Sequence, residues 1–139
     1  MNLQEPKDEN RTLKPEYREV RFRCASATLP ACFYIVTAHN PDGVAVAEEV
    51  NTRADAALRR EIERLGFAFF SVTGGSPDFS HAEPGYGIQC SREEALGLAR
   101  QFRQDAFFEI QEGKVILISA LPLAEPDEFV GLWRDLLSV

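Results

Sequence analysis

No apolar run in this sequence approaches the roughly 18 residues that a membrane-spanning helix needs, which excludes a helical span. The first ten residues, Met1 to Asn10, hold no apolar stretch of the kind a secretory signal uses, so the cytoplasm is the expected location. Cysteine is scarce and badly placed for bridging. Cys24, Cys32 and Cys90 form an odd, widely spaced set with no C-x-x-C pair, which points away from a disulfide framework and towards buried small hydrophobes. A basic excess is missing too. A net charge of -7 and a pI near 4.9 disfavour a phosphate backbone as partner. Arg59, Arg60 and Arg64 cluster locally, but Glu61 and Glu63 interleave with them, as on a solvated mixed-charge face. Neither nucleic acid nor a membrane is an expected partner.

Several catalytic signatures are absent as well. There is no H-E-x-x-H zinc motif, and the His81-Ala82-Glu83 stretch lacks the partner cysteines of a zinc deaminase. Thr37, Ser76 and Ser80 lie outside any G-x-S-x-G elbow, so covalent catalysis has little support. Gly74-Gly75-Ser76 could form a small anion-binding nest, but no Walker lysine follows it, which argues against a nucleoside triphosphate site.

What is present is a regular succession of strands and helices. Residues 1–17 are polar, contain Pro6 and Pro15, show no period, and are expected to form a flexible tail before a single domain over 18–139. Val20, Phe22 and Cys24 alternate with Arg21 and Arg23, the pattern of an edge strand. Phe33 to Thr37 is apolar throughout and suits a central strand, ended by His39-Asn40-Pro41. A helix is expected from a capping box at Thr52-x-x-Asp55 to Gly66. A strand over Phe67–Thr73 and a short return over Tyr86–Cys90 flank a loop of about ten residues, long for a hairpin. A capping box at Ser91-x-x-Glu94 opens a second helix; Ala106–Gln111 and Lys114–Leu121 make a hairpin; Asp127–Leu137 reads as an amphipathic helix. The expected core includes Phe33, Ile35, Leu58, Ile62, Phe69, Leu98, Phe102, Phe108, Ile116 and Trp133.

The order β-α-β-β-α-β, with an extra N-terminal edge strand and a C-terminal strand and helix, is that of an α+β protein with a ferredoxin-like split βαβ core. Right-handed crossovers then bring three polar segments to one end of the sheet: Thr37–Asn51, Gly74–Glu83 and Gln101–Asp105. The stretches Thr37-Ala38-His39-Asn40-Pro41, Thr73-Gly74-Gly75-Ser76-Pro77-Asp78, His81-Ala82-Glu83-Pro84-Gly85 and Phe102-Arg103-Gln104-Asp105-Ala106, together with Asn51 and the helix to Leu65, resemble the domain of unknown function 3293 over about residues 33 to 118. That resemblance implies a bacterial origin and one compact domain; the family carries no established activity to transfer.

The convergent segments supply the candidate residues. His39 and His81 are the two histidines of the chain, and with Glu83 they are the candidates for acid-base work. Thr37, Asn40, Asn51, Ser76, Asp78 and Gln104 are the candidate ligand-binding groups. Each has a plain structural role to set beside this: Asn40 as a turn former, Asn51 as a helix cap, Gln104 as partner of a loose helix-end carbonyl. No metal and no cofactor is expected, because two histidines with nearby acids complete a metal site only if both point inward. Two functions fit. One is a small polar-ligand-binding domain, with the enzyme question open; the other is a non-catalytic interaction or regulatory module, or a homo-oligomer, pairing through a sheet edge such as Val115-Ile116-Leu117-Ile118.

Overall fold

The computed structural model describes residues 10–26, 28–123 and 125–138. Among the described residues the chain is α+β: seven strands in one antiparallel sheet, three α-helices and two short 3-10 helices, Pro15–Glu19 and Pro41–Gly43. In chain order the strands and α-helices are β1 (Arg21–Arg23), β2 (Cys32–Thr37), α1 (Glu48–Leu65), β3 (Phe69–Gly75), β4 (Ala82–Ile88), α2 (Arg92–Gln101), β5 (Ala106–Gln111), β6 (Lys114–Ser119), β7 (Glu128–Leu132) and α3 (Trp133–Leu136). The spatial order is β1-β3-β4-β2-β5-β6-β7.

Period-2 alternation builds two cores on the two faces of the sheet. On β2, Tyr34 and Val36 face α1 and α2, where Leu58, Ile62, Ala95, Leu98 and Ala99 are buried. Phe33 and Ile35 face the other way, into a cluster with Phe22, Val72, Phe108, Leu117 and Trp133. Burial on both faces explains why β2 is apolar throughout. The sheet curls about the second cluster: Phe22 on β1 bridges Leu137, and the Ser138 N–H donates to the Phe22 carbonyl at 2.7 Å. The Phe22 ring stacks on Trp133, with centroids 5.2 Å apart.

Local signals place the helix ends well. Ser91 and Glu94 form the reciprocal capping box at α2, and Gly66 closes α1 in the left-handed region at φ 79°. Arg59–Glu63 and Arg64–Glu61 pair along α1, as on a solvated face. Of the expected core, Phe69, Phe102 and Ile116 are only partly buried, at the margin of the helix-side cluster.

Several expectations give way to tertiary packing. Residues 1–9 of the expected tail lie outside the described residues, but Arg11, Leu13 and Tyr17 tie the 11–17 segment to the domain. Leu13 is buried in the concave core, and Arg11 forms a bidentate pair with Asp105, which is 3% exposed. Helix α1 begins at Glu48, not Thr52, with no side-chain cap, and Asn51 lies inside its first turn. Strands β3 and β4 pair out to Gly75 and Ala82, so the loop between them is Ser76–His81 rather than about ten residues. The stretch expected as a helix over Asp127–Leu137 is strand β7 followed by the single turn α3. Its apolar spacing suits a helix, but β7 occupies the edge of β6, whose ladder groups would otherwise lack partners. Phe129, expected inward, is consequently 57% exposed on this edge strand. The same pairing takes away the edge of Val115–Ile118 that was expected to be open to a second chain. None of the three cysteines is fully buried as expected: Cys32 is exposed because it stands at the very start of β2, and Cys24 and Cys90 are half-buried.

Candidate functional site

Strand β2 ends at Thr37, and the chain turns sharply at Asn40 and Asp42, both in the left-handed region at φ 49° and 59°. A residue before proline is pressed towards extended backbone; Asn40 instead takes the left-handed well, which asparagine tolerates better than most residues. Its own side chain and that of Asn51 hold it there. The Asn40 N–H donates to Asn51 Oδ1 at 2.8 Å, and Asn51 Nδ2 donates to Asn40 Oδ1 at 2.9 Å. Asn51 is therefore the clamp on the β2 turn, a role that neither a helix cap nor a direct ligand contact describes.

The three polar segments meet here. Asn40 Nδ2 donates to Glu83 Oε1 at 3.1 Å, joining the end of β2 to β4. Gln104 Nε2 donates to the carbonyls of His39 and Phe102, each at 3.1 Å, joining the end of α2 to the same turn. Phe102 is the C-cap of α2, so Gln104 does satisfy a helix-end carbonyl while also gripping the β2 exit. Thr37 Oγ1 donates to the Pro84 carbonyl at 2.7 Å, and Asp42 pairs with Arg103.

Beside these contacts a cavity of about 400 Å³ opens on the concave side of the sheet. Its polar wall includes Thr37, His39, Asn40, Ser76, His81, Glu83 and Gln104. Its apolar wall is made by Val20, Phe22, Ile35 and Phe108, and by Tyr17 from the N-terminal segment. Of the candidate residues, Asn51 supports this wall from behind. Asp78 stays within the β3–β4 turn, where its Oδ1 accepts from the Ser80 N–H at 3.0 Å and the Ser76 hydroxyl at 3.1 Å. The Ser80 backbone N–H, helped by the Ser80 and Ser76 hydroxyls, holds the Asp78 carboxyl below its ordinary value. These contacts account for Asp78 as a turn residue.

His81 Nε2 lies 3.5 Å from Glu83 Oε1, with the imidazole largely exposed and Glu83 26% exposed. Tyr17 has its phenol pushed above the ordinary value, first by burial and then by the negative charges of Asp105 and Glu83. Among the described residues no group of three His, Cys, Asp or Glu side chains is arranged to hold a metal ion. His39, His81 and Glu83 all line the cavity but do not form such a group.

Lys14, Glu16 and Tyr17 were missed from sequence because they belong to the segment expected as tail. The signal available was the apolar pair Leu13 and Tyr17, four residues apart in an otherwise polar stretch. Arg11 anchors that segment through Asp105 and the Asp42 carbonyl, and Lys14 Nζ donates to the Gly43 carbonyl at 2.7 Å.

A curled antiparallel sheet backed by two helices, with a cavity where its central strand ends, defines the class: an α+β domain with a site at one end of the sheet. The family described as "Protein of unknown function (DUF3293)" matches residues 36–107, more than half of the chain, and the chain belongs to that family. The matched span contains every candidate residue named from sequence, and it leaves out Arg11 to Tyr17 and β1. No curated protein and no solved structure matches the chain.

Proposed function

We propose that this domain binds a small molecule in the cavity at the end of β2. The observation that carries the reading is the cavity's make-up: about 400 Å³, with an apolar wall facing polar groups drawn from three separate segments. Ligand sites commonly occupy about 300–1,000 Å³ and combine an apolar lining with a few convergent polar groups. The apolar wall adds an apolar body to the small polar molecule expected from sequence. His39, His81 and Glu83 are the groups at which proton transfer could occur in such a site, and binding is the part of the reading that the geometry supports best.

Support for a ferredoxin-like core comes from the order β3-β4-β2-β5 and from α1 and α2 sharing one face. Among the described residues no helix is long and apolar enough to cross a membrane, and the bacterial cytoplasmic setting that we propose rests on the sequence alone.

A fragment screen by thermal shift tests the reading. A ligand at a hundred times its Kd stabilises by about 2.7 kcal/mol. Gly74 lines the cavity, and a Cβ added there meets Val20 and Phe22 at ordinary contact distance, 3.8 Å. Gly74→Leu should therefore fold and fill the site, removing the shifts that the native chain shows. Fragments that stabilise both chains equally, or none that stabilises the native chain, would refute it. The second reading, an interaction module, has its own observation: β7 is an edge strand with Phe129 exposed. Light scattering showing association that Phe129→Lys abolishes would favour it.

A further inference from the structure

We propose that the cavity selects ligands carrying a cationic hydrogen-bond donor, such as a primary amine, amidine or guanidine, on a compact apolar body. This rests on reading the cavity as a small-molecule site and adds the chemical class.

The argument counts which polar groups of the wall are already spent. Thr37 is spent on the Pro84 carbonyl. Asn40 gives its Nδ2 to Glu83 and takes Asn51 Nδ2 and the Val46 N–H on its Oδ1. The Ser76 hydroxyl is engaged within the β3–β4 turn, with Asp78 and with the His81 backbone. Lys14 is held at the Gly43 carbonyl, on the side where Arg11 and Asp105 already pair.

The imidazoles of His39 and His81, the latter 3.5 Å from Glu83 Oε1, can each donate as well as accept, while the groups left over on Gln104 and Glu83 are acceptors. Both Nε2 hydrogens of Gln104 go to backbone carbonyls, which fixes the orientation of the amide and leaves Oε1 without a partner among the described residues. Gln104 is 8% exposed and lines the cavity, so its Oε1 is an acceptor that a ligand donor can use. Glu83 spends Oε1 on Asn40, while its Oε2 has no hydrogen-bond partner among the described residues. The Tyr17 hydroxyl is likewise unpartnered among them and can accept. Glu83 and Gln104 bond to adjacent residues, Asn40 and His39, so the two acceptors stand on one stretch of wall.

An ammonium supplies three donors and a compensating charge; a carboxylate ligand has no donor to offer Glu83 or the Gln104 carbonyl oxygen. The rings of Tyr17, Phe22 and Phe108 suit an apolar body and attract a cation over their faces. The raised Tyr17 phenol reports the same negative field, from Asp105 and Glu83.

Benzylamine, benzyl alcohol and benzoate offer one ring with a positive, a neutral and a negative head. Calorimetric titration at pH 7 should give a Kd for benzylamine at least about tenfold tighter than for benzyl alcohol, with benzoate weakest. In Glu83→Gln, which can still accept from Asn40, the amine's advantage over the alcohol should largely vanish. Equal affinity for amine and alcohol, or tightest binding of benzoate, overturns the cationic class. If benzyl alcohol binding is nonetheless lost in Gly74→Leu, the small-molecule reading survives that failure. Failure of all three probes to bind the native chain overturns both. The comparison of probes on the native chain needs no variant to fold.

Discussion

Asn40 and Glu83 meet through a single hydrogen bond at 3.1 Å, and Asn40→Asp turns that contact into a repulsion. The substitution leaves most of the turn alone. Aspartate, like asparagine, tolerates the left-handed backbone, and its carboxylate can still accept from Asn51 Nδ2 and the Val46 N–H. What changes is the Nδ2 donor, replaced by a second negative oxygen facing Glu83. Two unit charges about 4 Å apart repel by about 4 kcal/mol at an effective dielectric near 20, and by about 1 kcal/mol in water. Glu83 is 26% exposed, between those limits, so the repulsion should come to about 1–2 kcal/mol, added to about 1 kcal/mol for the lost bond. Glu83→Gln alone keeps an acceptor for Asn40 and should cost about 0.5–1 kcal/mol. In the double variant a glutamine donor meets the new carboxylate, so the total cost should fall short of the sum of the singles by about 1–2 kcal/mol. Urea melts of the four chains measure this coupling, and repeating them in 1 M NaCl should shrink it by half or more, because the Debye length drops to about 3 Å. Additivity within about 0.3 kcal/mol, or coupling indifferent to salt, would refute both the shared wall and the charge argument.

Two glycines separate backbone crowding from helix propensity. A Cβ at Gly85 would lie 2.6 Å from the Val36 carbonyl oxygen in the middle of the sheet, so Gly85→Ala should cost more than about 2 kcal/mol in denaturant melts. Gly97 in α2 has nothing within 4 Å of its added Cβ, so Gly97→Ala should stabilise by about 0.5–1 kcal/mol, and a loss there would count against the α2 assignment. All three tyrosines should ionise late. Burial raises the phenols of Tyr17, Tyr34 and Tyr86, with Tyr86 pushed up to about 12 by burial and by its bond to Asp55. A phenol raised in the folded state stabilises the fold below its unfolded value near 10, and that contribution is lost as pH climbs through the folded value. Stability should therefore decline between pH 10 and about 12. Absorbance near 295 nm should place the native titration above that of the urea-unfolded chain, and coincident curves would sink the argument.

Interactions that close within a few residues were legible in the chain. The Ser91–Glu94 box, the left-handed Gly66 and the Glu112-Gly113 turn, with φ 48° and 80°, each depend on neighbours the sequence displays. So did the identity of β2 as a central strand, since apolar residues on both of its faces require cover on both sides. The meeting of the 37–51, 74–83 and 101–105 segments followed from the handedness of crossovers, and the contacts of Asn40 with Glu83, His39 with Gln104, and Asp42 with Arg103 are its physical form. Other features needed the folded chain. Phe129, Val130, Trp133 and Leu136 carry a helical spacing, yet the open edge of β6 drew their first half into a strand, because backbone groups far away in sequence set the stronger demand. Leu13 and Tyr17 sit in a polar stretch, and only the curl of the sheet created the hollow that buries them. The same holds for the site. Residue types told which side chains could bond, but which donors were consumed by the fold and which acceptors were left facing the cavity depended on distances between segments up to 94 positions apart.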